Sequence, residues 1–477
     1  MLHRRSFLHT TTLLSAASLM SGSLIGRNLL SLIPFGSSNR PPIAYRKFTS
    51  EVIEAHITKV KTAITDPELA WLFENCFPNT LDTTVTHQGM LDGKLDTFII
   101  TGDIDALWLR DSAAQVYPYL PFMNHDPKLK ALIQGLINRH THSVLIDPYA
   151  NAFNYDSSRR SQWYTDDTAM KPALHERKWE VDSLCYVIRL AYRYWQLTSD
   201  SSLFDQQWLE AMKTILRTFI AQQRKTNKGP YHFQRKTSSP TDTLSNKGYG
   251  PDCKPTGMIC SMFRPSDDAT TYPYLIPSNL FAVVSLRQLA EIMKSLQQEA
   301  IAADCTTLAT EIAEAIAQHG RVQHPTFGTV YAYEVDGLGN HLLIDEPNMP
   351  NLLSLPYFDA TQATNQVYLN TRRMLFSRTN PYYIQGKYAT GLGSSHTRRG
   401  YIWHLSLIAQ ALTSTDTQEI KTCIAAIKAT HAGKGFMHES FDADHPTRYS
   451  RDWFAWANSL FGELITQVHA QHPDLLR

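Results

Sequence analysis

Residues 181–195, VDSLCYVIRLAYRYW, are the stretch that decides the fold. Apolar side chains recur in it at i, i+3 and i+4, the spacing that covers one face of an α-helix. The same spacing appears along the rest of the chain and predicts helices over about 48–65, 127–144, 181–198, 203–223, 277–298, 301–318, 399–413, 416–431 and 451–470. Strand patterns are few and short, at 97–100 and 329–333. The chain is therefore predicted to be an all-α protein.

Composition restricts the class of partner. The 477 residues include 45 Lys plus Arg and 44 Asp plus Glu, so the chain has no electrostatic preference for a nucleic acid or an anionic membrane. A neutral molecule is the expected partner. The 9 Trp, 22 Tyr and 20 Phe residues suit sugar-stacking sites, although a large core also uses aromatic side chains.

The N-terminus resembles an export signal. Arg4 and Arg5 are followed by Ser-Phe-Leu and a weakly apolar stretch to about Ile25. This pattern is typical of a twin-arginine signal, and the stretch is too polar and short for a membrane span. The alternative is a chance Arg-Arg pair in a tail. We predict a signal segment over 1–30, a linker over 31–45, one domain over 46–477, and export to the periplasm.

Metal and cofactor motifs are missing from the sequence. The six cysteines, residues 76, 185, 253, 260, 305 and 423, include no C-x-x-C pair, and there is no H-E-x-x-H, G-x-S-x-G or P-loop motif. His140 and His142 are two positions apart, so on a helix they face different ways. No metal or cofactor is expected. Cys253 and Cys260 flank a Pro/Gly loop and are candidates for a disulfide after export.

Polar and aromatic residues recur just before the predicted helices. An acidic or amide residue stands beside an aromatic residue or Arg in segments 102–112, 178–183, 264–279, 345–351 and 450–459. Helix capping explains single members, and Asp182, Ser278 and Asp452 are candidate N-caps. Capping does not require the accompanying Trp residues, 108, 179, 453 and 456. Such loops at one end of stacked helix pairs would surround a central cavity, which is the layout of an (α/α)6 toroid.

Two acidic clusters fit acid/base chemistry. FRPSDD at 263–268 and MHESFD at 437–442 each precede a helical run. Glycosidases use one carboxylic acid to protonate the leaving oxygen and one carboxylate to activate water or attack carbon. The two clusters are therefore candidates for the two sides of one hydrolytic site.

Four stretches resemble glycoside hydrolase family 125, the exo-acting α-1,6-mannosidases. They are TGDIDALWLRDS at 101–112, FRPSDDA at 263–269, DEPNMPN at 345–351 and MHESF at 437–441. The resemblance implies an (α/α)6 fold and metal-independent hydrolysis, with inversion, of single mannose units from non-reducing ends. It also implies that the general acid is Asp267 or Asp268 and that the general base is Glu439.

Physical chemistry is consistent with these roles. A general acid must be protonated near neutral pH, so its pKa has to be raised by burial or a nearby like charge, and an Asp pair in an aromatic pocket offers both. In an inverting site the carboxyl groups stand about 6.5–9.5 Å apart to admit a water. His438, next to Glu439, is expected to bind a sugar hydroxyl or to orient the base. A solvated loop position is the alternative for Glu439.

The other polar clusters are predicted to line the sugar site. Carboxylates and guanidinium groups suit vicinal hydroxyls, and Trp rings suit a pyranose face. A structural role is the alternative for each, since buried Arg–Asp pairs also hold loops together. The predicted substrate-binding residues are Asp105, Trp108, Arg110, Asp111, Asn151, Asn154, Arg264, Glu346, Asn348, His396, His438 and Trp453. His396 belongs to a glycine-rich loop, residues 391–397.

Two further functions stay open at the level of sequence. A toroid with an acid/base pair also suits an α-glucosidase or trehalase-like hydrolase. A periplasmic glycan-binding protein without catalysis is the other, although a pure binder has no need of two candidate catalytic carboxyls. The expected partner in every case is an oligosaccharide, and mannose-containing chains are the first choice.

Overall fold

The computed structural model describes residues 36–477, and Ser37–Arg477 form one compact unit. The predicted signal segment and the first part of the predicted linker lie outside the described residues. The α-helices are α1 Glu51–Ala63, α2 Pro67–Cys76, α3 Asn79–Thr83, α4 Leu109–Val116, α5 Pro127–Ile146, α6 Val181–Thr198, α7 Gln206–Gln222, α8 Ser245–Gly248, α9 Ile276–Ser295, α10 Glu299–His319, α11 Leu355–Phe358, α12 Gln366–Leu375, α13 His404–Leu412, α14 Thr417–Thr430 and α15 Ala455–Gln471.

Short antiparallel strands connect the helices. They are β1 Val85–Leu91, β2 Lys94–Ile99, β3 Leu107–Trp108, β4 Ala152–Phe153, β5 Leu174–Glu176, β6 Tyr274–Leu275, β7 Arg321–His324, β8 Gly328–Tyr331, β9 Glu334–Val335, β10 His341–Leu342, β11 Tyr383–Gln385, β12 Thr390–Leu392, β13 Tyr401–Trp403 and β14 Ser440–Asp442. Strands β3–β4–β5 and β10–β9–β6 form three-stranded sheets, and the others pair as β1–β2, β7–β8, β11–β12 and β13–β14.

The helices form an inner and an outer layer. Helix α15 packs on α4, α4 on α6, α6 on α9, and α13 on α15, while α10 covers α9 and α14 covers α13. All eight residues of α4 are buried, as is most of α6, because both sides of an inner helix face protein. The outer helix α14 buries one stripe, Ile420, Cys423, Ile424 and Ile427. This is the (α/α)6 architecture.

The inner helices begin at one end of the barrel, and their first residues follow short strands. Strand β3 leads into α4, β6 into α9 and β13 into α13. Strand β13 pairs with β14, with Trp403 opposite Ser440, so the segment after Glu439 is fixed to the start of α13. The loops that carry the polar residues are thereby held by backbone hydrogen bonds.

All the helices predicted from apolar spacing are confirmed, with ends displaced by a few residues. The strands at 97–100 and 329–333 correspond to β2 and β8. Helices α2, α4 and α12 and most of the short strands were not predicted. Helix α4, LRDSAAQV, is buried on all sides and contains Arg and Asp, so it has no apolar stripe to detect.

The predicted N-caps are wrong. Helix α6 has Glu180 at its N-cap with no side-chain capping bond, and Asp182 in its first turn accepts from Arg110 instead. Ser278 lies in the first turn of α9 and donates to Asp182. Asp452 is exposed and accepts from Tyr449. These side chains serve contacts between loops and helices that the local sequence does not encode.

The structure also shows where the predicted linker and the candidate disulfide cysteines lie. Arg40, in the predicted linker, forms ion pairs with Glu54 and Asp82 and is almost fully buried. The Sγ atoms of Cys253 and Cys260 lie 3.9 Å apart as free thiols, so a disulfide between them stays a prediction. None of the helices in residues 36–477 combines the length and the apolar character needed to cross a bilayer.

Candidate active site

A small pocket lies where the loops before α4, α9, α13 and α15 meet. Seven of the predicted site residues line it: Trp108, Arg110, Asp111, Asp267, Asn348, His396 and Glu439. The pocket therefore brings one Asp of the first acidic cluster together with the Glu of the second.

The first acidic cluster is a tight loop held from below by buried ion pairs. The Arg264 guanidinium donates to Glu334 at 2.6 Å and to Glu346 at 2.7 Å. The Ser266 hydroxyl donates to the other oxygen of Glu346 at 2.7 Å. These groups are almost fully buried, so the loop that presents the next two carboxyls has little freedom to move.

Asp267 points into the pocket from a strained backbone position. Its φ angle is +65°, in the left-handed region that few residues other than glycine adopt, although Asp and Asn tolerate it. Its side chain is 28% exposed, and its Oδ1 lies 3.3 Å from Asn151 Nδ2 and 3.6 Å from Arg110 Nη2. Strain of this kind is found where the fold has to aim a functional group.

Asp268 faces away from the pocket wall into a hydrogen-bonded cluster. It accepts from Ser395 Oγ at 2.8 Å, and its other oxygen is 3.1 Å from His396 Nδ1. Although burial alone would raise the pKa of Asp268, the contacts with His396 and Ser395 lower it. Burial would lower the pKa of His396, but the bond to Asp268 raises it to about 9. The two side chains therefore form an ion pair at neutral pH.

Glu439, in the second acidic cluster, lies beside a hydroxyl and a guanidinium group. Its side chain is 14% exposed, it accepts from Ser450 Oγ at 2.8 Å, and Arg451 Nη1 is 3.6 Å away. Ser450 is itself exposed. Glu439 is therefore held between a hydroxyl donor and a guanidinium group.

The floor of the pocket is a buried charge cluster around Arg110. Its guanidinium lies 2.6 Å from Glu180, 3.1 Å from Asp182 and 3.5 Å from Asp111. Burial raises the pKa of Asp111 to about 6, although Arg110 opposes the rise. The cluster holds three carboxyl groups and one guanidinium group, so the negative charges are not all balanced and protonation of a carboxyl is favoured.

Three predicted residues support the pocket from behind. Asn151 is fully buried and its amide reaches Asp267 and Glu176. Arg264 and Glu346 hold the loop before Asp267, as described above. None of the three is among the residues that line the pocket, and their contacts are structural in this arrangement.

The remaining four predicted residues lie away from the pocket wall. Asp105 is exposed and paired with Arg159. Asn154 donates to backbone carbonyls of residues 159, 172 and 174. His438 is buried, hydrogen-bonded to the Arg451 carbonyl and stacked on Tyr449 at 3.9 Å. Trp453 is half-buried, and its neighbour Phe454 lines the pocket instead.

Seven lining residues were not predicted: Thr101, Ile104, Pro265, Ser266, Trp403, Arg451 and Phe454. Most of them lie in segments that the sequence had indicated as part of the site, although these particular residues were not singled out. Trp403 is the exception. It ends β13, in a stretch with no acidic or amide neighbour, and only the pairing of β13 with β14 brings it to the pocket.

The sequence profile of the family described as Metal-independent alpha-mannosidase (GH125) matches residues 66–466. The chain belongs to this family. It is therefore a glycoside hydrolase, and specifically an α-mannosidase. Within residues 36–477, no group of three or more His, Cys, Asp or Glu side chains is arranged to hold a metal ion.

Individual relatives of this GH125 chain agree with the assignment. An α-mannosidase from Streptococcus pneumoniae, solved in a non-productive substrate complex with α-1,6-mannobiose, is 44% identical. That comparison covers 89% of this chain and 100% of the other, with a TM-score of 0.86. The meiotically up-regulated gene 157 protein of Schizosaccharomyces pombe is 42% identical, over 93% of this chain and 90% of its own length.

A glucoamylase from Saccharomycopsis fibuligera shares the fold alone with this GH125 α-mannosidase. It is 12% identical, with a TM-score of 0.50 over 91% of this chain and 98% of the other. The toroid therefore extends to glycosidases with other sugar specificities, and fold does not decide the sugar.

Proposed function

We propose that the protein is an inverting exo-α-1,6-mannosidase in which Asp267 is the general acid and Glu439 the general base. The observation that carries the proposal is that these two carboxyls, and not Asp268, line one small pocket. The acid side of the pocket is rich in carboxyl groups, and the base side is rich in donors. That difference matches the opposite protonation states the two roles require.

Asp268 is a poor candidate for the acid. The contacts with His396 and Ser395 lower its pKa, so it is ionised at neutral pH and has no proton to give. Its oxygens are already engaged at 2.8 Å and 3.1 Å. We assign it to orienting His396, which lines the pocket as a charged donor.

The proposed reaction balances without a further reactant. Asp267 gives its proton to the glycosidic oxygen as the bond from that oxygen to the anomeric carbon breaks. Glu439 takes a proton from a water molecule, whose oxygen bonds to the anomeric carbon on the opposite face. The product is β-mannose, and the two carboxyls return to their starting states by exchanging protons with solvent.

Unsatisfied polar atoms in the pocket suit sugar hydroxyls. Among the described residues, Trp108 Nε1 and Asn348 Oδ1 are buried and have no hydrogen-bond partner. One is a donor and the other an acceptor, and both residues line the pocket. A buried polar atom without a partner is costly, so a ligand hydroxyl that meets it contributes affinity and specificity.

Two observations support the exo mode and the α-1,6 linkage. The pocket is small, which suits one terminal sugar better than an internal stretch of chain. The similar Streptococcus pneumoniae enzyme was solved with α-1,6-mannobiose. We therefore propose that terminal α-1,6-linked mannose is the substrate, removed one unit at a time.

The deciding experiment is NMR of the sugar first released from α-1,6-mannobiose, with α-1,2- and α-1,3-mannobiose and isomaltose as comparison substrates. Initial β-mannose from the α-1,6 compound supports both linkage and inversion. Initial α-mannose would remove the two-carboxylate inverting scheme. Faster hydrolysis of another linkage or of isomaltose would replace the proposed substrate.

The assignment of the acid has its own test. Asp267→Asn suits the left-handed backbone, because Asn adopts it as readily as Asp. Loss of an acid should reduce hydrolysis of mannobiose by about 10³-fold. It should have a much smaller effect on 2,4-dinitrophenyl α-mannoside, whose leaving group needs no proton. If Asp268→Asn shows that contrast and Asp267→Asn does not, the two roles are exchanged.

We also propose that the protein is exported to the periplasm by the twin-arginine route. The support is the Arg4-Arg5 pair and the mild apolar stretch that follows it. Replacing both residues, Arg4→Lys with Arg5→Lys, should move the α-mannosidase activity from the periplasmic to the cytoplasmic fraction of the expressing bacterium. Unchanged distribution between the two fractions would refute this route.

A further inference from the structure

Behind the proposed general acid lies a second carboxyl group, Glu180, which is not among the residues that line the candidate pocket. Glu180 is the N-cap residue of α6, and its side chain has no exposed surface. Its Oε2 accepts from Arg110 at 2.6 Å and from the Ser183 hydroxyl at 2.8 Å. The capping geometry makes no use of this carboxyl, because it forms no bond to the first amides of the helix.

Glu180 and Asp267 converge on the same donors. The Asn151 amide nitrogen lies 3.5 Å from Glu180 Oε1 and 3.3 Å from Asp267 Oδ1. The Arg110 guanidinium reaches Glu180 through one nitrogen and lies 3.6 Å from Asp267 through the other. The two carboxyl groups also lie close enough to hydrogen bond with each other when one of them carries a proton.

The charges around the pair do not balance when every carboxyl is ionised. Among residues 36–477, Arg110 is the one cation that forms an ion pair with Glu180, and it also pairs with Asp182 and Asp111. Lys178 donates to Asp242 and to the Asp267 carbonyl, not to the Asp267 carboxyl. The titratable and charged groups that face the pair are Arg110 and Asp111 of α4, His175, Glu176 and Lys178 before α6, Asp182 of α6, Arg235 and Asp242 of the neighbouring loop, and His396, Glu439 and Arg451 around the pocket.

A buried carboxylate without its own counter-ion is costly, and holding a proton removes that cost. Burial raises the pKa of Glu180 well above its usual value; Arg110 opposes this and the Asp267 carboxylate adds to it. When two carboxyls interact this strongly, the proton belongs to the pair rather than to either residue.

We propose that Glu180 is a positioning residue that shares one proton with Asp267; this proposal rests on the function proposed above. The shared proton sets the highest pH at which the general acid is still protonated. During turnover the proton leaves the pair for the glycosidic oxygen, and the pair becomes doubly negative. The repulsion between the two carboxylates then draws a proton back from solvent after the product departs. Glu180 never touches the substrate.

Glu180→Gln is the principal test, because the amide keeps the shape and can still bond to Asp267. It removes the shared proton and the neighbouring charge, so Asp267 ionises at lower pH. The basic limb of the pH profile of kcat/KM on α-1,6-mannobiose should move down by about one pH unit. The acidic side of the profile should keep most of its activity. A basic limb that stays in place, or moves up, would overturn the proposal.

Asp182→Asn is the matched control. Asp182 is also buried and also contacts Arg110, at 3.1 Å, but among the described residues Arg110 is the only donor that it has in common with Asp267. The basic limb of this variant should move clearly less than that of Glu180→Gln. Equal movement in the two variants would mean that any lost carboxylate has the same effect, and the specific role of Glu180 would be refuted.

If Glu180→Gln fails to fold, infrared spectroscopy can test the shared proton without any change at position 180. Infrared difference spectra at neutral pH report the carbonyl stretch of a protonated carboxylic acid. The native protein should show such a band, and Asp267→Asn should change its frequency because the hydrogen-bond partner has changed. A native spectrum whose protonated-carboxyl bands are unaffected by Asp267→Asn would refute the shared proton.

The proposed function and the proposed role of Glu180 are refuted by different results. If Asp267→Asn retains full activity on mannobiose, Asp267 is not the acid and the proposed function is wrong at that residue. If Asp267→Asn loses activity but Glu180→Gln leaves the basic limb in place, the proposed function stands and the inference about Glu180 alone is wrong.

Discussion

The two carboxyl loops of this α-mannosidase differ in what holds them. The loop of Asp267 rests on the buried ion pairs that Arg264 forms with Glu334 and Glu346, and its backbone is strained at Asp267. The loop of Glu439 is held by uncharged contacts: its backbone donates to buried Asn458 and His404, and β14 pairs with β13.

The difference fits the roles proposed for the two groups. A general acid has to keep a proton at neutral pH, and nearby carboxyl groups favour that. A general base has to accept a proton from water, and hydrogen-bond donors beside it hold it in place. Asp267 stands among the buried carboxyl groups around Arg110, whereas Glu439 stands beside Ser450 and Arg451.

The largest effect expected on this comparison comes from Glu439→Gln. Without a base to take the proton from water, kcat on α-1,6-mannobiose should fall by about 10⁴-fold. The melting temperature should change little, because the side chain forms few contacts. Asp442→Asn, on the same loop but turned to residues 444 and 445, is the control and should retain activity. Retained activity in Glu439→Gln would remove the base assignment.

Arg264→Met tests the rigidity of the acid side. It leaves Glu334 and Glu346 buried without their cation, so the free energy of unfolding should fall by about 3–5 kcal/mol, measured by denaturant titration. Arg451→Met, beside the base, should lower it by about 1 kcal/mol or less, since its partner Asp103 is half exposed. Similar losses in the two variants would show that both loops are held equally.

Asp268→Asn tests whether Asp268 acts through His396 or as a proton donor. The imidazole of His396 loses its counter-ion and with it the charge that it presents to the pocket. We expect kcat/KM to fall by about 10²-fold on mannobiose and by a similar factor on 2,4-dinitrophenyl α-mannoside, because the damage is to binding and geometry. A loss confined to mannobiose would instead identify Asp268 as a proton donor.

Ser450→Ala makes a smaller change on the base side. Glu439 loses its hydroxyl donor and keeps Arg451, so kcat/KM should fall by less than about tenfold. An unchanged kcat/KM would show that Ser450 has no part in positioning Glu439.

The smallest effect concerns stability at alkaline pH. The pKa of His396 is raised above its ordinary value to about 9, so its pairing with Asp268 stabilises the fold fully below about pH 6.5. That contribution is lost as the pH rises through 9. The melting temperature should therefore fall more between pH 8 and pH 10 in the native protein than in His396→Gln. Parallel curves for the two proteins would contradict the ion pair.

Much of the fold was predictable because helical periodicity is local. The inner helix α6 and the outer helix α14 each show the apolar spacing within one stretch of sequence. Helix α4 was missed because burial on every side, with Arg110 paired to carboxyls from α6, replaces the stripe by contacts that only the folded chain provides. Strands β3, β6 and β13 were missed because each is only two or three residues long and pairs with a partner far along the chain.

The candidate site was predictable as a set of loops but not as a set of roles. Trp108, Arg110, Asp111 and Glu439 stand in segments whose mixture of acidic and aromatic residues indicated the pocket. Asp105 and Asn154 stand in equally suggestive segments and yet face away from it. Residue type and spacing do not encode the direction of a side chain in an irregular loop.

The sequence by itself determined the helical periodicity, the motifs of the family and the pair of acidic clusters, because each is a local pattern of residue types. Only the tertiary structure decided between Asp267 and Asp268 as the residue that lines the pocket. The choice depends on a left-handed backbone angle at Asp267 and on His396, which comes to Asp268 from 128 residues away along the chain. Neighbours in sequence therefore receive opposite environments, and environment sets protonation.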